Sequence, residues 1–100
     1  MLNYAILKNR KVIPVDDVLI WGRWLDENNH LRIVAQETLP NKLRVSTVFL
    51  GLNHSFGEGE PLWFETMVFS AKGYAEEDMD RYTTWNEAIK GHKKMVQKWS

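Results

Sequence analysis

One hundred residues, 44% of them hydrophobic, 12% aromatic and 26% charged, are the makings of a single domain with a radius of gyration near ~13 Å, able to bury roughly 60–65% of the surface of its unfolded chain. Cysteine is absent, which excludes disulfides and thiolate-ligated zinc and leaves any metal to His, Asp or Glu. Thirteen basic residues balance thirteen acidic ones, seven against five in the first fifty residues and six against eight in the last fifty, so neither a nucleic-acid polymer nor a membrane is expected as a partner.

In chain order, Tyr4–Leu7 and Val12–Ile13 around Asn9-Arg10-Lys11 form a short hairpin, which Pro14 is expected to stop. Asp16 or Asp17 then caps a helix in which Val18, Trp21 and Leu25 recur at helical spacing, with Asn28-Asn29 as the exit. Between Leu31 and Leu39 the pattern alternates, with Ile33, Ala35 and Leu39 against Arg32, Gln36 and Thr38, and Pro40-Asn41 forms the following turn. Leu43–Leu52 and Leu62–Phe69 are rich in β-branched and aromatic residues in both phases, the composition of neighbouring central strands covered on both sides. The loop from Asn53 to Pro61 returns the chain antiparallel, and the acidic stretch Ala71–Asp80 is expected to be a solvated connection.

Thr84 and Glu87 match a capping box, after which Trp85, Ala88, Ile89, His92, Met95, Val96 and Trp99 mark one face of a C-terminal helix. The expected fold is α+β: a small antiparallel sheet of three central strands plus a short N-terminal hairpin, packed by two helices. The apolar run Val45–Leu52 is far short of the ~20 residues of a spanning helix, and Met1–Leu7 is too short for a secretory core. A soluble, cytoplasmic protein is expected.

Polar residues inside apolar segments are the candidates for chemistry. His92 lies on the inward stripe of the last helix and needs a partner. Gly91 before it costs about 0.5–1 kcal/mol relative to alanine, which points to a close approach by ligand or sheet. Glu65 sits within Leu62–Phe69 and must raise its pKa, hydrogen bond, or pair with Arg44 or Arg81. One hairpin register places Arg44, Ser46 and His54 on its face, the other Val45, Thr47 and Phe49. Asn53, His54 and Phe56 bring an amide, an imidazole and an exposed ring beside loop glycines, which suits an anion or a stacked base. Trp21, Trp24, Trp85 and Trp99 read as core, and Trp63 and Tyr82 as possible lining of a pocket. His54, His92 and Glu65 have the chemistry to hold zinc or manganese but are dispersed along the chain, so no metal and no cofactor is expected. No phosphate-loop, nucleophile-elbow, zincin or EF-hand pattern is present.

The blocks Arg44-Val-Ser-Thr-Val-Phe-Leu-Gly-Leu-Asn-His54, Leu62-Trp-Phe-Glu-Thr-Met-Val-Phe69, Arg81-Tyr-Thr-Thr-Trp-Asn-Glu-Ala88 and Gly91-His92, spread over about Trp21 to Val96, resemble a widespread uncharacterised family of small tailed-phage and prophage proteins. The resemblance implies that Ser46, Thr47, His54, Glu65, Thr66, Tyr82, Thr84, Trp85 and His92 belong to a signature, and it implies host cytoplasm as the location. Asn53 stands where the family pattern has aspartate, which weakens a metal-ligand or base role there. The family brings context and no assigned chemistry.

Three functions compete. In the first, a phage accessory protein binds a small anionic, nucleotide-like ligand and sequesters a host defence signal: Arg44, Ser46, His54, Thr66 and His92 bond phosphate or ribose, Glu65 accepts from base or sugar, and Phe56 or Trp63 stacks, with Thr47, Asn53 and Tyr82 completing the site. In the second, a protein-interaction module, homodimeric or directed at a host protein, anchors through the Phe56 loop. In the third, a small hydrolase uses His54 and His92 to exchange protons while Glu65 orients one of them or acts as base.

Overall fold

The computed structural model describes residues 3–55, 59–72 and 76–100. Asn9 and Arg10 both take left-handed backbone, with φ of 52° and 67°, the geometry of a two-residue turn whose twist matches that of the strands it joins. They close β1 (Tyr4–Lys8) onto β2 (Lys11–Val15), with Lys8 opposite Lys11 and Tyr4 opposite Val15. Pro14 does not end the hairpin as expected but lies inside β2, opposite Ala5. Because β2 has no second neighbour, a residue without an N–H is tolerated there.

Asp17 caps α1 (Val18–Glu27) by accepting from the Leu19 and Ile20 N–H groups, and Asn28 ends the helix. Its tryptophans turn inward. The Trp21 indole N–H donates to the Gly51 carbonyl at 2.9 Å, and Trp24 meets Phe49 edge-on at 5.9 Å. A short 3₁₀ turn over Asn29–Arg32 leads into β3 (Ile33–Thr38), which pairs with β4 (Arg44–Phe49).

The main sheet continues with β5 (Phe64–Phe69) and β6 (Glu76–Tyr82), all neighbours antiparallel in the order β3-β4-β5-β6. β6 is the departure from the sequence reading, which made this segment a connection. It is an edge strand whose residues 76–80 are exposed or half-buried and whose buried anchor is Tyr82, so alternating hydrophobicity is missing even though the ladder is formed. Acidic side chains on such an edge also discourage pairing with other chains.

Along β4 and β5 the buried residues are Val45, Thr47, Phe49, Phe64, Thr66 and Val68, alternate positions that share one face of the sheet. Across this face lies α2 (Trp85–Trp99), started by the reciprocal Thr84–Glu87 capping box and burying Ala88, Gly91, His92 and Met95. One apolar cluster, containing Phe49, Trp63, Phe64 and Ala88, receives Ala5 from the hairpin. A second gathers Leu39, Val45, Val68 and Met95 toward the end of α2. Contrary to the expectation that β4 and β5 are covered on both sides, neither helix lies over the face carrying Arg44, Ser46, Glu65 and Met67.

Gly91 lets α2 approach the sheet: a Cβ there would lie 2.2 Å from the Tyr82 ring and 2.3 Å from its hydroxyl. The approach is thus made by the sheet. Alanine has the better helix propensity by about 1 kcal/mol, but overpacking against a buried ring typically costs about 1–3 kcal/mol. Gly91→Ala is therefore expected to lower stability by about 1 kcal/mol or more in urea unfolding; a gain would mean the Tyr82 ring has room to swing aside.

Candidate functional site

Between the two apolar clusters a chain of polar groups is sealed under α2. Thr66 and Thr47 face each other across β5 and β4, with hydroxyl oxygens 2.5 Å apart. Thr47 Oγ1 is 2.7 Å from His92 Nδ1, and His92 Nε2 is 3.1 Å from Glu37 Oε1. Both threonines are fully buried and His92 is 3% exposed, whereas the Glu37 side chain is half in solvent.

The acceptor-only carboxylate at the end fixes the direction of the chain. With a neutral imidazole, Nε2–H donates to Glu37, Nδ1 accepts from the Thr47 hydroxyl, and Thr47 accepts from Thr66. Protonation of His92 makes Nδ1 a donor and forces the Thr47 hydroxyl to turn toward Thr66. At the other end the Tyr82 hydroxyl is buried with no well-formed hydrogen bond; burial pushes this phenol up, against the influence of the Thr66 hydroxyl. Glu37 escaped the sequence reading, although it is in phase with Ile33, Ala35 and Leu39 in the alternation of that segment.

The remaining candidates lie elsewhere. Arg44 pairs with Phe69 and Val48 with Glu65 across β4 and β5, the register that puts Arg44 and Ser46 on Glu65's face and Thr47 on the opposite one. Glu65 accepts from Arg81 Nε at 2.9 Å, a structural ion pair. Ser46 accepts from Gln36, and the Arg44 guanidinium sits 5.3 Å from the Phe69 ring centroid. Asn53 Oδ1 accepts from the N–H groups of Ser55 and Leu62, and His54 Nδ1 donates to the Leu52 carbonyl at 3.0 Å, so both brace the loop. Phe56 lies outside the described residues. The other nine expected ligand residues divide between a sealed seam, an open sheet face and a loop, and do not converge on one hollow. Among the described residues no hydrogen bond or ion pair joins His54 to His92 or Glu65, and no group of three or more His, Asp or Glu could hold a metal.

A different place has both room and unsatisfied charge. The hairpin tip and the start of α2 enclose a groove of about 630 Å³ whose walls include Arg10, Lys11, Trp63, Thr84, Trp85 and Asn86. The Arg10 guanidinium stands 5.5 Å from the Trp85 ring centroid. Lys8, Arg10 and Lys11 crowd the tip, and the ion pairs among the described residues, which join Arg81 to Glu65, His92 to Glu37 and Lys98 to Asp78, include none of them. Glu87 is engaged by the N–H and hydroxyl of Thr84, and the free backbone N–H groups of a helix's first turn belong here to Trp85 and Asn86. Of this set the sequence pattern marks only Trp63 as pocket lining. Nothing in the linear order joins the hairpin tip to residues 83–86.

Along α2, a second groove of about 500 Å³ separates Lys90 and Lys94 from Asp80. Its charges are partly spent: Asp78 accepts from Lys98 Nζ at 2.8 Å and from the Trp99 indole at 2.9 Å. These bonds and the Met79 N–H hold the Asp78 carboxyl down at about 2, from 3.8.

No family model, no curated protein and no solved structure matches the chain.

Two outcomes follow for this region. Thr47→Val keeps the shape but deprives His92 Nδ1 and Thr66 of their partner, and is expected to cost about 1–3 kcal/mol in urea unfolding. A depressed carboxyl contributes stability above its unfolded value of 3.8 that is lost as pH falls through about 2. In acid titration of the folded protein, Asp78→Asn is expected to be less stable than the parent at neutral pH and to converge on it as pH falls through that window.

Proposed function

We propose that this protein binds a small anionic ligand bearing a planar ring, such as a nucleotide, in the groove between the hairpin tip and the start of α2. The observation that carries this reading is the cationic tip of Arg10 and Lys11, which takes part in no ion pair among the described residues, facing a groove lined by the half-buried Trp85, with the buried Trp63 behind it. The half-buried Trp85 ring, with the Arg10 guanidinium beside it, suits a stacked base, Arg and Lys suit phosphate, and the first N–H groups of a long helix favour negative charge. Arg10 itself supports the reading. A turn with both central residues left-handed favours Asn-Gly, yet an arginine stands at φ 67°, where a side chain costs about 1–2 kcal/mol.

Sequestration fits this geometry better than hydrolysis, because His92 is sealed and bonded at both ring nitrogens while His54 is tied to its own loop. The resemblance to small tailed-phage proteins supplies the setting in which a captured nucleotide would be a host defence signal in the host cytoplasm.

The test is tryptophan fluorescence and thermal shift with linear and cyclic nucleotides and inorganic phosphate. Saturable quenching with at least one nucleotide is expected, with the ligand recovered intact after long incubation. Arg10→Gly relieves the left-handed strain while removing the cation, so affinity is expected to fall at least about tenfold with stability changed by no more than about 1 kcal/mol. No response to any nucleotide, or equal affinity in the variant, would overturn the assignment.

A further inference from the structure

The face of the main sheet turned away from α2 carries apolar residues that no helix among the described residues covers. We propose that it is the contact surface for a second copy of this chain, giving a two-fold dimer with the two sheets stacked face to face.

Composition is the first support. β3 to β6 contain none of the chain's eight lysines, while the open face presents Arg44, Arg81, Met67, Met79 and Phe69; arginine, methionine and aromatic residues without lysine are the profile of an interface rather than of a solvated surface. Ile33 and Met79 remain 47% and 37% exposed, and Met67 and Phe69 lie outside both apolar clusters. A net charge of zero also leaves no overall repulsion between copies.

The arrangement of the residues selects a second copy as the occupant. The middle row across the strands is Gln36, Ser46, Met67 and Met79. Glu65 and Arg81 stand opposite each other in the row on one side of it, and Arg44, Phe69 and Glu76 align in the row on the other. A two-fold axis in the plane of the interface, perpendicular to the strands and running along the middle row, exchanges the outer rows between copies. Met67 then meets the partner's Met67 and Met79 the partner's Met79. The same operation brings Arg81 over the partner's Glu76 and Arg44 beside the partner's Glu65, each contact occurring twice, as an isologous interface requires. Opposite charges thus meet on both sides of a methionine centre.

Sedimentation equilibrium of the full chain tests the proposal. The expected mass is about twice the 11.8 kDa of one chain at tens of micromolar. Because Met67 lies on the axis, Met67→Lys and Met67→Glu each place like charges against each other and are expected to raise the dimer dissociation constant at least about tenfold, while an equimolar mixture of the two restores a dimer. Circular dichroism confirms that the variants fold; should they not, the more exposed Met79→Lys and Met79→Glu pair replaces them. A monomeric parent, dimers that survive in both charge variants, or dissociation by Leu19→Lys on α1 instead, would each overturn it.

Discussion

The constraint on which the rest of the fold depends is the obligation to satisfy a buried imidazole. His92 sits on α2, which crosses the main sheet, and is 3% exposed, so each of its ring nitrogens must find a partner within the protein. Thr47 and Glu37 provide those partners from two adjacent strands. Rotation of α2 by a single residue would turn it by about 100° and break both bonds, so the seam fixes the rotation and sliding of the helix more sharply than apolar packing alone could. The same docking brings Gly91 onto the Tyr82 ring and sets Met95 into the cluster around Val45 and Val68. Hydrogen bonds of this kind contribute modestly when formed and cost much when broken, which makes the seam a device of specificity.

A seam so tightly closed has no room for a ligand, and this redistributes function to the periphery. Polar residues threaded through strands attract attention as candidate chemistry, but here several of them satisfy one another. Glu65 is neutralised by Arg81, Ser46 by Gln36, and Asn53 by the loop it closes. Among the described residues the cationic hairpin tip takes part in no ion pair, and no helix covers the far face of the sheet. The two lie on different parts of the molecule and call for different kinds of partner.

Much of the fold was legible in the chain because local signals agreed with tertiary needs. The Thr84–Glu87 box, the seven-residue inward stripe of α2, an aspartate cap at position 16 or 17 for α1 and the antiparallel pairing of β4 with β5 were all written in short-range patterns. β6 was not, because an edge strand bearing acids at Glu76, Glu77, Asp78 and Asp80 has no buried face to impose alternation. The direction in which Glu65 points was illegible for another reason: side-chain phase is set by register, and a one-residue slip reverses it. Among site residues, His92 and the need for a close approach at Gly91 could be read directly. The groove could not, since its two walls are more than fifty residues apart in the chain.

The N-terminal hairpin belongs to its own small sheet, joined to the end of β4 by the Tyr4–Leu52 bridge and by backbone bonds from Ala5 to Gly51 and from Asn53 to Asn3. Ala5 is buried in the core with Leu7 and Val12 packed beside it, and Tyr4 rests on Trp21, so the base of the hairpin is anchored while its Asn9–Lys11 tip, beyond those contacts, has a lower-energy route to amide exchange than β4 and β5. One wall of the groove is therefore a turn tip and the other the start of a docked helix. Anything held between them acts as a clasp, and its grip would be written first in the slowed exchange of the hairpin.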